Sequence, residues 1–325
     1  MTRAFSGHVM VSFIPINHTS ITMTEEIRKT LRDSAAMRWT ALLLLALAMF
    51  CAYIFVDILS PIKDLMLTQR GWDSTAFGTM QGSETFLNVF VFFLIFAGII
   101  LDKMGVRFTA VLSGAVMLFG ALIKYYAVSE SFIGSGMEAW FTAHLNYIPG
   151  FDELGVSPFY EGMPASAKVA AIGFMIFGCG TEMGGITVSR GIVKWFKGRE
   201  MALAMGSEMA LARLGVATCM IFSPFFAKLG CSIDGSRSVA FGVVLLCIAL
   251  IMIIVYFFMD KKLDSQTHEE EEKDDPFKIS DLGKILSSQG FWLVSLLCVL
   301  YYSAIFHFQK YGVNLLQCHI TLTAV

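Results

Sequence analysis

Two oppositely charged residues stand inside long apolar segments of this sequence. Glu182 lies in the run 167 to 190, and Arg213 lies in the run 201 to 225. Exposure of either charge to hydrocarbon costs about 2.5 to 3.5 kcal/mol, so we expect both side chains to face a polar partner or a water-filled cavity. A guanidinium binds carboxylates through its planar fork, and a carboxylate accepts hydrogen bonds from an ammonium group. The pair therefore has the chemistry to hold the two ends of a zwitterion.

The same pair also has a purely structural interpretation. The runs that carry Glu182 and Arg213 are joined by the short turn 194 to 199, so the two helices are expected to be adjacent and antiparallel, with both charges near mid-membrane. An ion pair between them would tie the helices together without any ligand. The two interpretations are compatible, because an empty site can close on itself.

Four more residues are candidates for lining a binding site. Asp57, late in the first apolar run, and Tyr53, one turn earlier, are expected at the outer mouth of a pathway, although an interfacial position also explains Asp57. Tyr301 and Tyr302 stand side by side in the last apolar run. We include all four in the predicted substrate-binding set.

Other ionisable residues in or near the apolar runs have simpler explanations. Glu208 lies five positions before Arg213 and points to a different helical face, where it packs against another helix or takes part in proton coupling. Glu84 and Arg190, near the start and the end of their runs, interact favourably with helix dipoles, so capping explains them. We assign none of these three to the site.

The segments that carry these residues are long enough to cross a membrane. Of the 325 residues, 56% are hydrophobic and only 15% are charged, which excludes an ordinary soluble fold. Seven runs can span roughly 30 Å of hydrocarbon as helices: 39–60, 83–101, 108–128, 167–190, 201–225, 238–259 and 291–312. The sequence therefore predicts an all-α membrane protein that lies in a lipid bilayer.

Lysine and arginine in the short connections predict the orientation. The residues that fall on one side are Arg28, Lys29, Arg32, Arg38, Lys103, Arg107, Lys194, Lys197, Arg199, Lys261 and Lys262. Basic loops favour the cytoplasmic side, so the N-terminus is expected inside. The short loops and the absence of a sorting signal favour a bacterial plasma (inner) membrane over an organelle.

Changes in composition divide the chain into four predicted parts. Residues 1–37 form a cytoplasmic tail, in which either Met1 or Met23 is the translation start, and residues 38–259 form a six-helix transmembrane bundle. Residues 260–290 form a charged cytoplasmic linker, since the run from His268 to Asp275 is too hydrophilic and self-repelling for a packed core. Residues 291–325 contain a seventh helix and a short end.

A basic turn stands between the second and third apolar runs. Its main residues are Gly98, Asp102, Lys103, Gly105 and Arg107. Gly98 is expected to permit close helix approach, and Gly105 is expected to permit a tight reversal. Asp102 has the charge to hold a cation or a neighbouring helix end. In its place and on its expected side, this turn resembles the signature loop of the major facilitator superfamily, although an ordinary positive-inside turn has similar composition.

A second stretch carries a narrower resemblance. It contains Glu182, the turn Lys194-Trp195-Phe196-Lys197-Gly198-Arg199, and the segment Gly206 to Gly215 that includes Arg213. It resembles the fourth and fifth helices of the superfamily and is similar to the branch formed by the lysosomal dipeptide transporter and its bacterial relatives. In that branch the matching positions bind the termini of a peptide, and Tyr301-Tyr302 extends the likeness.

The resemblance implies a fold and an activity. Superfamily transporters have twelve helices in two bundles that rock around a central site, so this chain supplies one six-helix bundle plus helix seven, and we expect it to be C-terminally truncated. The implied function is transport of a small solute by alternating access, a dipeptide or another zwitterion, with protons and self-association of the half-protein as possible partners. Another organic anion, a sugar-type solute or an inactive fragment are the alternatives.

Several other classes are disfavoured. The seven cysteines stand singly without metal-ligand spacing, so no metal is expected. No basic surface for nucleic acid is evident, and no clustered histidines, nucleophile motif or phosphate loop indicates an enzyme or a cofactor. Seven helices are also typical of receptors and rhodopsins, with Lys310 as the candidate chromophore attachment. The inside N-terminus and the position of Lys310 near its helix end argue against that class.

Overall fold

The computed structural model describes residues 30–230, 232–267 and 279–320. Within these ranges the regular elements are α-helices and short 3₁₀ turns. The helices are α1 (Ala35–Val56), α2 (Lys63–Arg70), α3 (Ser74–Gly82), α4 (Phe86–Phe90), α5 (Phe93–Val128), α6 (Gly136–His144), α7 (Ala165–Trp195), α8 (Met201–Ala227), α9 (Gly235–Thr267), α10 (Ile279–Leu286) and α11 (Gln289–Ile320). The predicted all-α class is confirmed.

Six segments of the described chain are long and apolar enough to cross a membrane. They are Ala35–Arg70, Phe93–Val128, Ala165–Trp195, Met201–Ala227, Gly235–Gln266 and Gln289–Gly312. The sequence predicted seven spans, and the difference arises at one place. The predicted second and third spans appear as two arms of α5, on either side of Gly105.

Gly105 reverses the chain within α5. Its backbone has φ 77° and ψ 167°, a conformation that is not helical and that glycine adopts without a steric penalty. Before it, Asp102 pairs with Arg190, near the end of α7. After it, Gly120 packs against Gly173, nearer the start of α7. The later arm therefore runs antiparallel to α7, and the reversal predicted at Gly105 is present.

The chain that leads into the first arm is broken rather than one continuous helix. It consists of α3, a 3₁₀ turn at Ser83–Thr85, and α4, and the arm itself begins after Phe92. Phe92 has φ 54°, a left-handed conformation that is uncommon outside glycine. The predicted span 83–101 is therefore divided into short pieces, which place Glu84 and Asn88 against α7.

Glycines set the closest contacts of α7 and α8 with their neighbours. In the structure, Gly178 lies against the backbone of Glu84, and an added Cβ at Gly180 would stand 2.6 Å from the backbone nitrogen of Met117 on α5. An added Cβ at Gly215 of α8 would stand 2.6 Å from the carbonyl oxygen of Phe50 on α1. The glycines thus bring α7 to α5 and α8 to α1.

Parts of the predicted domain plan lie outside the described residues. These are the tail before Thr30, the charged run His268 to Asp275 and the last five residues. Where the chain is described, α9 continues to Thr267, α10 lies within the range predicted as a linker, and α11 extends to Ile320. The helices at this end of the chain are therefore longer than the hydropathy runs that predicted them.

Candidate functional site

Glu182 and Arg213 lie on neighbouring helices without pairing. Glu182 is exposed on α7, and Arg213 is half-buried on α8. Of the ion pairs between described residues, none joins the two side chains. The structural interpretation, in which they tie α7 to α8, is therefore not realised, and both charged groups are available to a ligand.

Tyr53 of α1 lies near both charged residues. The Cζ atom of Arg213 lies 5.6 Å from the centroid of the Tyr53 ring, which is a cation–π distance. The Tyr53 hydroxyl also lies close enough to Glu182 to interact electrostatically with it. An added Cβ at Gly215 would stand 3.3 Å from the Tyr53 Cβ, so the absence of a side chain there allows α8 to bring Arg213 against α1.

Asn88 of α4 joins the same face and was missed by the sequence analysis. Its Nδ2 donates to the carbonyl oxygen of Gly178 at 3.5 Å, and its buried Oδ1 has no hydrogen-bond partner among the described residues. Gly178 precedes Glu182 by four residues, so the two positions share one face of α7, one turn apart. The available signal was an amide within an apolar run.

Asp57 is buried under α11 rather than open at the mouth of a pathway. Its side chain is 3% exposed, and its Oδ1 lies 3.5 Å from the Nζ of Lys310. Ser60 donates to the same Oδ1 at 3.3 Å, and Gln81 donates to the Ser60 hydroxyl at 2.9 Å. The structure therefore places Asp57 beneath Lys310 and not at an open outer mouth.

Glu84 also has a partner that the dipole interpretation did not foresee. Its Oε2 lies 3.6 Å from the Nζ of Lys310, so one ammonium bridges two carboxylates from different segments. Capping is thus an incomplete explanation for Glu84. Lys310 itself is 16% exposed, and its Nζ has no hydrogen-bond partner among the described residues beyond these two ion pairs.

Lys124 of α5 is a further buried cation that the sequence analysis did not single out. It is fully buried, and its Nζ lies 3.5 Å from the centroid of the Phe174 ring and 5.2 Å from that of Phe55. No described residue accepts a hydrogen bond from it. A lysine within the predicted span 108–128 was the signal that could have identified it.

The structure does not bring Tyr301 and Tyr302 to the other predicted site residues. Their rings pack against each other at 5.3 Å, and Tyr302 stacks on Phe306 at 5.1 Å. Tyr301 is 58% exposed. The tyrosine of α11 that reaches the bundle is Tyr311, whose ring lies 6.4 Å from that of Phe77.

The basic turn that contains Asp102, Lys103 and Arg107 forms ion pairs with α7 and α9. Asp102 pairs with Arg190 at 3.4 Å, and Arg107 pairs with Asp264 of α9 at 2.9 Å. Lys103 is exposed. The expectation for Gly98 is wrong in the described part of the chain, because an added Cβ there would meet no atom within 4 Å. Within the described residues, no other helix lies that close to Gly98.

A buried carboxylate anchors the turn between α7 and α8. Asp260 is fully buried, and its two oxygens accept from Lys194 at 2.7 Å and from the indole nitrogen of Trp195 at 2.9 Å. The Tyr256 hydroxyl lies 3.4 Å from the same carboxylate. Lys194 also pairs with Asp264 at 2.6 Å. This network fixes the end of α7 and hence the register in which α8 returns toward Tyr53.

Comparison with known proteins agrees with the helical architecture. Residues 45–324 match the family model described as Major Facilitator Superfamily. The lysosomal dipeptide transporter MFSD1 of Danio rerio is 30% identical over 149 residues, which is 43% of this chain and 32% of that protein. The transporter of the same name from Bos taurus is 29% identical over 145 residues, covering 42% and 31%, and that from Homo sapiens is 28% identical over 148 residues, covering 43% and 31%.

The similarity to these relatives is partial. The matched part of the chain spans about a third of the length of each of them. No solved structure matches the chain.

Proposed function

Because this chain belongs to the major facilitator superfamily, we propose that the whole protein, meaning the chain with any segment that its gene adds, moves dipeptides or similar zwitterions across a membrane by alternating access. As a member of that family with six long apolar helices in its described part, it is an integral, multi-pass membrane protein. The names of the matched relatives support a dipeptide as the substrate class.

One observation carries the proposal: Glu182 and Arg213 lie near one tyrosine without neutralising each other. Arg213 offers its guanidinium fork to the substrate carboxylate, and Glu182 offers a carboxylate to the substrate ammonium. Tyr53 holds the Arg213 guanidinium over its ring, and so limits the directions in which the fork can point. The side-chain oxygen of Asn88, one turn from Glu182, has no hydrogen-bond partner among the described residues, and in this proposal it accepts a hydrogen bond from a peptide N–H.

In this proposal, alternating access depends on how the bundle packs against a second bundle. The bundle presents Tyr53, Glu182 and Arg213 on one face, and a second bundle rocks against that face around the bound solute. The second bundle comes from a further segment of the gene product or from a second copy of this chain. Proton participation would fall to Glu208, which is half-buried and lies within electrostatic reach of Tyr53.

Orientation and membrane are part of the same proposal. Arg107 and Lys194 lie at the end of the bundle where α1 begins, and both pair with Asp264. The basic residues of that end support a cytoplasmic N-terminus. We propose a bacterial plasma membrane, with a lysosomal membrane as the alternative suggested by the relatives' names. Protease protection of an N-terminal epitope tag in sealed vesicles tests the orientation.

Binding of three ligands to the purified whole protein tests the substrate class. They are a dipeptide, the same dipeptide with an acetylated N-terminus, and the same dipeptide with an amidated C-terminus. Loss of a hydrogen bond to a charged group costs about 1.5 to 3 kcal/mol, so the wild-type protein should prefer the unmodified dipeptide by about 10-fold to 100-fold.

The two variants should lose different parts of that preference. Arg213→Ala should no longer distinguish the dipeptide from its amide, and Glu182→Gln should no longer distinguish it from its acetylated form. Arg237→Ala and Glu138→Gln, which change the same charges away from the site, should keep both preferences. Dipeptide binding by Arg213→Ala with the wild-type affinity would refute the proposal. Binding of sugars or monovalent organic anions in place of the dipeptide would show that the substrate belongs to one of those classes.

A further inference from the structure

Four charged side chains from four segments meet in the interior where α11 docks. Asp57 follows α1, Glu84 lies between α3 and α4, Lys124 is on α5 and Lys310 is on α11. The two ammonium groups and the two carboxylates balance in charge. We call these four residues the ion cluster.

Lys310 reaches the ion cluster from outside the bundle. It bridges the two carboxylates at 3.5 Å and 3.6 Å without a hydrogen bond to either. The next residue, Tyr311, seats the helix, because its hydroxyl stands 2.8 Å from the position of an added Cβ at Gly78. The ammonium of Lys63 lies 5.1 Å from the Tyr311 ring. Among the described residues, contacts with the bundle are at this end of the span Gln289–Gly312, since its most apolar part has no buried residue.

Lys124 is on α5, within the bundle, and its ammonium donates no hydrogen bond to a described residue. Its ammonium rests on the Phe174 ring, and it lies within electrostatic reach of both Asp57 and Glu84 as well as of Lys310. The Cys219 thiol of α8 also lies within electrostatic reach of it. A buried ammonium that has lost its water and has no acceptor among the described residues is poised to accept a carboxylate partner.

We propose that Asp57 and Glu84 exchange counter-ions during the transport cycle, pairing with Lys310 when α11 is docked and with Lys124 when the end of α11 leaves. Lys124 is therefore a positioning residue, because it holds the two carboxylates while Lys310 is away from them. The physical reason is that two buried carboxylates without a cation are strongly unfavourable, so Lys310 could not depart unless another cation took its place. This inference rests on the proposed function for its role in transport, but the exchange itself does not require a particular solute.

Thiol labelling measures the docking of α11 directly. Gly312 is buried beside Tyr311, and a side chain added there meets only the Phe308 ring, at 3.8 Å. In the whole protein with every native cysteine replaced by serine or alanine, Gly312→Cys should react with a membrane-impermeant maleimide only when α11 is released. Lys310→Gln should raise the labelling rate, because it removes the cation that holds α11.

Lys124→Met gives the decisive result. With the second cation gone, release of Lys310 leaves both carboxylates unpaired, so labelling at Gly312→Cys and solute exchange should each slow by about tenfold, while equilibrium solute binding stays within about twofold. Adding Glu84→Gln should restore much of both rates, because one fewer charge is then left unpaired. The double variant also remains informative where Lys124→Met alone folds poorly.

Lys168→Met is the matched control. Lys168 is also a buried lysine, 1% exposed, and it pairs with Asn146 at 3.0 Å rather than with the ion cluster. The inference is overturned when Lys124→Met labels at the same rate as Lys168→Met, or when Glu84→Gln does not restore the rate. Because labelling needs no dipeptide, a wrong substrate would leave this outcome unaffected.

Discussion

The guanidinium of Arg213 lies over the ring of Tyr53, with 5.6 Å between the Cζ atom and the ring centroid. The two residues belong to α8 and α1, which Gly215 allows to approach closely. A cation held over an aromatic face keeps its hydrogen-bond donors free at its edges. The contact therefore fixes the position of Arg213 and leaves its fork available to a carboxylate.

This contact predicts a difference between two substitutions of Tyr53. Tyr53→Phe keeps the ring and should bind a dipeptide within about twofold of wild type, since the cation–π contact remains. Tyr53→Ala removes the ring and should weaken binding by about fivefold, which corresponds to about 1 kcal/mol. Isothermal titration of the purified protein measures both. Equal losses in the two variants would show that the hydroxyl, and not the ring, matters.

Substitutions of Gly105 and Gly98, both in α5, can be compared to test the reversal of the chain at Gly105. Gly105 has φ 77° and ψ 167°, a region almost restricted to glycine, so Gly105→Ala should destabilise the protein by about 1 to 3 kcal/mol. Gly98 lies within the helix and has open space around it, so Gly98→Ala should be neutral or stabilising by up to about 1 kcal/mol. Thermal unfolding in detergent compares them, and a loss at Gly98 as large as that at Gly105 would contradict the prediction.

Gly180 and Gly185 of α7 differ in how closely other residues pack against them. At Gly180 an added Cβ would meet the backbone nitrogen of Met117 at 2.6 Å and the carbonyl oxygen of Ser113 at 2.9 Å, whereas at Gly185 it would meet nothing within 4 Å. Gly180→Ala should therefore push α7 from α5 and cost about 1 to 3 kcal/mol, and Gly185→Ala should cost nothing measurable. The readout is the unfolding midpoint of each variant.

The 3₁₀ turn Leu31–Asp33, which precedes α1, predicts that the stability of the protein depends on pH. Asp33 accepts hydrogen bonds from the backbone nitrogen and the hydroxyl of Thr30, at 2.9 Å and 3.0 Å, and it pairs with Arg199 at 2.7 Å. These partners, the Thr30 backbone first, lower the pKa of the Asp33 carboxyl below its usual 3.8. Because the folded pKa is depressed, the contribution to stability is present above pH 3.8 and is lost as the pH falls through the folded value.

The Asp33 titration can be followed by NMR of a labelled sample. Thr30→Ala should raise the pKa of Asp33 more than Arg199→Gln does, because the hydrogen bond from the Thr30 hydroxyl lowers that pKa more than the charge of Arg199 does. The reverse order would mean that the ion pair with the turn after α7 dominates.

Much of this architecture could be predicted from the sequence, for physical reasons. Apolar runs of twenty residues require helices in a bilayer, and a charge within such a run must have a functional or structural partner, which identified Glu182 and Arg213. Gly105 was identifiable because a tight basic turn needs a residue free of a Cβ. A lysine or an amide within an apolar run must also have a partner, so the same reasoning should have identified Lys124 and Asn88.

What the sequence could not provide was the pairing of distant segments. The contact of Lys310 with Asp57 depends on where α11 docks, and no local pattern contains that information. The close approach of Gly178 to the backbone of Glu84 likewise joins two segments that are far apart in the sequence. Gly98 fits the signature pattern by type, yet an added Cβ there would meet no described atom within 4 Å.

The one-ended attachment of α11 gives it the mechanics of a lever. While α11 is docked, Lys310 and Tyr311 form the pivot, and Gln289 begins the helix about 30 Å away at 1.5 Å per residue. A tilt of about 10° at the pivot would carry the far end through about 5 Å on that helix length. A subtle rearrangement at one end of the membrane would thus become a large displacement at the other, with no change in the helix itself.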